Sequence, residues 1–170
     1  MPVAGGGLYV AVSGGGEADD EACRLAEQVG QELARRGAVV VTGGLGGAMA
    51  AACRGAKDGG GTTIGILPSD DRAEANEWVD VAVPTGLGEG RNALVVRAAD
   101  AVVAVAGEFG TLSEIALALR LGRPVVGLGT WELVRDGRPV DAIVAAGTPA
   151  EAAETAVALA TERRAPPTGS

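Results

Sequence analysis

Three stretches of this chain place glycine between a β-branched run and a helical one. They are Ser13-Gly14-Gly15-Gly16, Gly43-Gly44-Leu45-Gly46-Gly47 and Gly107-Glu108-Phe109-Gly110-Thr111. Without a Cβ, such turns let backbone N–H groups close on an anion. The helix that follows adds unpaired amide donors and the positive end of its dipole. A single turn of this kind is explained by a tight bend alone. Three on one edge of a sheet make a seat for a phosphorylated, nucleotide-sized ligand. The positions expected to take part are Gly14, Gly15, Gly43, Gly44, Gly46, Gly47, Gly107 and Gly110, with Met49 after the second turn and Thr111 at the end of the third. Two familiar phosphate motifs do not fit. No GxxxxGK[ST] is present, and Gly44-Leu45-Gly46 has Met49 where a GxGxxG fingerprint needs its third glycine.

Charged and polar side chains fall near these turns. Arg91 follows Gly88-Glu89-Gly90 at an expected helix start, where a cation meets the positive end of the dipole. Helix capping does not explain an arginine there; a bound phosphate or a carboxylate partner does. Asn92 is a further candidate for polar contact with ligand. Thr111 and Glu114 have the S/T-x-x-E spacing of a capping box, which gives Glu114 a structural role. As a carboxylate at the ligand edge it can also position water or bond a sugar hydroxyl. Arg97, two turns later, reads either as a structural group paired with an acid or as a functional one. Asp70, Asp71, Arg72 and Glu74 lie in a polar loop, either solvated or forming a lid.

Composition removes whole classes of chemistry. The 170 residues contain no histidine, which excludes Ser-His-Asp and Cys-His triads and His-ligated zinc; no metal site is expected. The two cysteines, Cys23 and Cys53, read as buried free thiols. A net charge of −8, from 14 basic and 22 acidic residues, is the wrong balance for a general nucleic-acid binder. No apolar run reaches the roughly 18 residues of a membrane helix. Residues 1–7 lack the charged and apolar regions of a signal peptide. A cytoplasmic protein with no nucleic-acid or membrane partner is expected.

The elements that must hold these groups alternate along the chain. Apolar runs predict strands at 8–13, 38–42, 62–67, 79–83, 101–106 and 124–128. Helical spacing predicts helices at 19–36, 47–57, 89–99, 111–121 and 149–162, with a polar loop at 68–77 and a turn at Asp136-Gly137. Residues 1–7 and 163–170 are expected to be flexible termini around one domain, 8–162. Continuous apolar strands with helices between them indicate an α/β domain, doubly wound, with a mostly parallel sheet and helices on both faces. Aromatics make up 2% of the chain, so the core must be built from Ala, Val, Leu and Ile.

The order of motifs resembles a known family. Gly43-Gly44-Leu45-Gly46-Gly47-Ala48-Met49, then Gly90-Arg91-Asn92, then Gly107-x-x-Gly110-Thr111-x-x-Glu114 is similar to the Lonely Guy (LOG) family, long mislabelled as lysine decarboxylases. The likeness runs from about Leu8 to Leu128. With residues 62–68 and 92–96 it looks closest to the small bacterial branch that also resembles molybdenum-cofactor carrier proteins. The resemblance implies a Rossmann-like fold, a phosphate site at the glycine turns and a homodimer or homotetramer. For the LOG enzymes it implies hydrolysis of nucleoside 5′-monophosphates, with Arg91 and Glu114 matching the catalytic arginine and glutamate. For the carrier branch it implies a bound molybdenum cofactor or nucleotide, with no cofactor required for catalysis. The enzyme motif PGGxGTxxE begins here as Ala106-Gly107-Glu108, without its proline and second glycine, and the histidine before the arginine is replaced. Three readings stand at this point: a carrier of a phosphorylated cofactor, a phosphoribohydrolase, and a nucleotide sensor.

Overall fold

The computed structural model describes residues 6–166. Apolar segments, most of them rich in valine, form β1 (Tyr9–Ser13), β2 (Val39–Thr42), β3 (Thr63–Leu67), β4 (Val81–Pro84), β5 (Ala101–Val105) and β6 (Val125–Leu128). A two-residue pair, β7 (Val134–Arg135) and β8 (Arg138–Pro139), turns at Asp136 and Gly137, both with positive φ. β9 (Ile143–Ala145) was not anticipated from the sequence. Its three residues are too few to show alternation, and parallel pairing with β6 makes them a strand. Among the described residues the main sheet has seven strands in the order β4-β3-β2-β1-β5-β6-β9, all parallel.

The helices are α1 (Asp20–Arg35), α2 (Ala48–Asp58), α3 (Asn92–Ala98), α4 (Phe109–Arg120) and α5 (Pro149–Arg164). Alternation along each strand divides the core. Val10 and Val12 face α1, α2 and α5, and pack with Val40, Val103 and alanines of those helices. Ala11 faces α3 and α4, with Val41, Val96, Val102 and Ile115. The sheet is thus covered on both faces by small side chains, as the lack of aromatics required. No described helix is long and apolar enough to cross a membrane.

Several boundaries differ from the sequence expectation for physical reasons. The strand expected over 101–106 stops at Val105, because Ala106 takes φ 46°. The helix expected from residue 89 begins at Asn92, after a short 3₁₀ turn over Gly88–Arg91. The last helix passes residue 162 and ends at Arg164, whose guanidinium bonds the Asp100 carboxylate at 2.8 Å and the Gly7 carbonyl at 2.8 Å. Residues 1–5 and 167–170 of the expected flexible termini lie outside the described residues.

Candidate functional site

β1 has β2 on one side and β5 on the other, and the chain leads away from it in both directions. Loops leaving the carboxyl ends of neighbouring strands part at such a switch point and open a crevice. Here they border a cavity of about 690 Å³. Of the candidates named from the sequence, Gly14, Gly15, Gly43, Met49, Arg91, Asn92, Gly107, Gly110, Thr111 and Glu114 line it. Gly44, Gly46 and Gly47 do not. Gly44 packs against Leu67 and Gly65, and its carbonyl accepts the Asn76 backbone N–H at 2.9 Å. Gly47, at φ 61°, lies so close to the first turn that a Cβ would sit 2.4 Å from the Gly16 carbonyl oxygen. Gly46 faces open space.

The cavity also takes residues that the sequence reading left out. Glu17, Ala18 and Asp19 continue the first turn and were within reach of simple adjacency. Glu89 comes with Arg91 from the same 3₁₀ turn, whereas Pro68 enters from a distant loop that no local pattern revealed. Asp70, Asp71, Arg72 and Glu74 stay outside it; Asp71 instead caps a short 3₁₀ turn by accepting from the Ala73 N–H.

Glu114 does not cap α4. That helix begins at Phe109, two residues earlier than expected, with Glu108 at its N-cap and no side-chain cap bond. Gly107, at φ 96°, makes the turn, so Thr111 and Glu114 fall inside the helix and the capping-box spacing is coincidental. Thr111 is buried beneath Gly107. Glu114 is buried and turned toward β1, where it accepts a hydrogen bond from the Ser13 hydroxyl. Burial pushes the Glu114 carboxyl above its ordinary range, against the Ser13 bond and the attraction of Arg91, which both lower it.

Arg91 is 8% exposed. Its guanidinium lies on the Gly43 backbone, so closely that a Cβ at Gly43 would meet Nη1 at 2.6 Å. Nη1 donates to Asn92 Oδ1 at 2.6 Å, whereas Nε is buried without a partner. Among the described residues no ion pair neutralises the charge. Burial lowers the Arg91 pKa and the charge of Glu114 acts against that, so the cation is held where water cannot stabilise it fully.

The three helix starts differ in what they leave free. The first turn of α1 is capped by Asp19, which accepts from Ala22 N–H at 2.8 Å, and it carries Asp20 and Glu21. α2 starts against the first loop, its Ala48 N–H donating to the Gly15 carbonyl at 3.0 Å. α4 has no side-chain cap, and Gly110 in its first turn lines the cavity with no atom near its Cβ position. Of the three, α4 has the first-turn amides best placed to receive an anion. Ala106 stands where the resembled enzyme motif has proline, and its φ of 46° is outside the range proline can adopt.

Comparison with known proteins places the chain among relatives. The model of the SLOG cluster4 family matches residues 7–163. An uncharacterized protein of Archaeoglobus fulgidus is 41% identical over 121 residues, 71% of this chain and 80% of that protein. The molybdenum cofactor binding protein of Rippkaea orientalis superposes with TM-score 0.81 at 35% identity, over 90% of this chain and 97% of that one. The molybdenum cofactor carrier protein of Chlamydomonas reinhardtii gives TM-score 0.80 at 32% identity, over 91% and 99%. DNA processing protein A of Streptococcus pneumoniae, at 20% identity and TM-score 0.66 over 85% of this chain and 60% of that one, shares the fold.

Proposed function

The chain belongs to the SLOG cluster4 family, and we propose that its switch-point cavity binds a phosphorylated, nucleotide-type ligand as a carrier of a molybdopterin-type cofactor. One observation carries this reading: Arg91 is a buried cation with an unpartnered Nε on the wall of a roomy cavity. A buried charge without a partner is costly, and an anionic ligand removes that cost. The cavity of about 690 Å³ lies in the size range of small-molecule sites and suits a planar ring joined to a phosphate. Arg91 and the first-turn amides of α4 would hold the phosphate, and Gly110 keeps the wall there low enough for close approach. Such a cofactor supplies metal-centred redox chemistry, and this chain's part is to bind, orient and shield it.

Native mass spectrometry of freshly purified protein tests the reading. The expected result is a bound phosphorylated pterin or nucleotide, lost in Arg91→Ala. A ligand-free parent that also fails to take up AMP when it is added contradicts it. The same spectra count subunits; a homodimer or homotetramer is the expected assembly.

Glu114 favours a second reading. A buried carboxyl, its pKa raised by desolvation, bonded to Ser13 and facing the charge of Arg91, can orient water at a glycosidic carbon while the arginine holds the phosphate. The protein would then cleave nucleoside 5′-monophosphates to free base and ribose 5-phosphate. Incubation with AMP that yields no adenine removes this reading and leaves the carrier.

A further inference from the structure

Phe109 is 74% exposed at the first turn of α4, between Glu108 and Gly110, which both line the switch-point cavity. Its ring packs on Trp131 with centroids 5.7 Å apart and planes tilted by 38°. Trp131 lines a second cavity of about 440 Å³, bordered by Gly129, Leu133, Val140 and Ile143, for which the reading above has no use. No described residue lines both cavities, but hydrogen bonds tie the segment beside the first to the lining of the second. The Ala106 carbonyl accepts from Thr130 Oγ1 at 2.6 Å, and the Glu108 carbonyl accepts from Trp131 Nε1 at 3.3 Å. Segment 106–110 is therefore pinned from the side of the second cavity while it faces the first.

A phenylalanine this exposed gains little from burial in the folded chain, and the chain holds two Trp, one Tyr and one Phe in all. Half of this small aromatic stock is the Phe109–Trp131 pair, set where the first turn of α4 meets the lining of the second cavity. The α4 amides that can receive a phosphate lie within a turn of the Phe109 ring. A ligand anchored there and carrying a planar heterocycle has an aromatic face at its exit.

We propose that Phe109 and Trp131 form a stacking platform for the heteroaromatic ring of the phosphorylated ligand, directing that ring out of the first cavity toward the second. The platform rests on the phosphate-site reading above and adds the class of group recognised beyond the phosphate: a planar ring, read by its face.

The test titrates the parent, Phe109→Ala and Phe109→Leu by calorimetry with three probes: AMP, FMN and ribose 5-phosphate, which has the phosphate but no ring. Thermal melts check that the variants remain folded. Phe109→Ala should weaken AMP and FMN on the order of tenfold, the usual effect of removing one stacking aromatic. Ribose 5-phosphate should change by less than about twofold. Phe109→Leu, apolar but without a ring, should follow Phe109→Ala. Trp131→Phe keeps a ring in place and should retain most of the affinity. Equal losses for all three probes, or a Phe109→Leu variant that binds like the parent, overturn the platform. So does a Phe109→Ala variant with unchanged affinities and a smaller sedimentation coefficient, which makes the pair a contact with a second copy of the chain. A parent that binds ribose 5-phosphate as tightly as AMP overturns the platform while the phosphate site stands. A parent that binds none of the three removes both.

Discussion

The turns at residues 43–47 and 107–111 are alike in composition, yet they do opposite things. In the first, three of the four glycines are needed by the protein itself. Gly43 supports the Arg91 guanidinium, Gly44 packs on Gly65, and Gly47 touches the carbonyls of Gly15 and Gly16. In the second, Gly107 makes a tight turn over Thr111, but Gly110 is open toward the cavity and the helix behind it is uncapped. Glycine-rich turns thus serve close packing or ligand approach, and what decides is whether the backbone amides end against other backbone or against a cavity.

The largest effect expected is at Gly47. Alanine there combines positive φ with a Cβ 2.4 Å from a backbone oxygen that cannot move aside. A loss of about 3 kcal/mol or more follows from strain and overpacking together, readable by urea denaturation. A Gly47→Ala protein as stable as the parent breaks the comparison outright.

Next comes Arg91→Ala. Loss of one charge-assisted contact should weaken a phosphorylated ligand by about 1.5–3 kcal/mol, tenfold or more in affinity. Stability should hold or rise, because the substitution removes a buried, unneutralised charge. A large melting loss with unchanged affinity makes Arg91 a structural group.

Glu114→Gln probes the floor of the same cavity. The folded pKa lies above the ordinary 4.5, so between those two values the folded state holds more protons than the unfolded one. Stability of the parent therefore falls as pH rises through that window and stays low above it. The variant should lack that slope and melt higher than the parent at neutral pH. Parallel pH profiles for the two proteins count against a buried carboxyl with a raised pKa.

Leucine at Gly46 and at Gly110 sharpens the contrast between the turns. Gly110→Leu should crowd the cavity and lower ligand affinity with a melt close to the parent's. Gly46→Leu should leave affinity unchanged, since that position faces open space away from the cavity. The smallest effect is at Ala106. Glycine relieves the left-handed backbone and should raise stability by about 0.5–1 kcal/mol, whereas proline there should prevent the turn.

Local order along the chain determined most of the architecture. Valine runs and helical spacing do not depend on distant partners, so the central strands and four of the helices were legible within a residue or two. The three glycine turns also placed the crevice, because parallel strands put all such turns on one edge. Arg91 and Glu114 stood out as candidates for the same reason. Their environments did not. The S/T-x-x-E spacing is local, but where α4 starts was decided by Gly107 and by the packing of Thr111 beneath it. That shift turned Glu114 from a surface cap into a buried partner of Ser13, 101 residues away in the chain. The three-residue β9 became a strand through its pairing with β6. The division of labour between two similar turns also needed the tertiary structure. Glycine permits close approach from any direction, and the identity of what approaches is fixed by contacts between segments far apart in sequence.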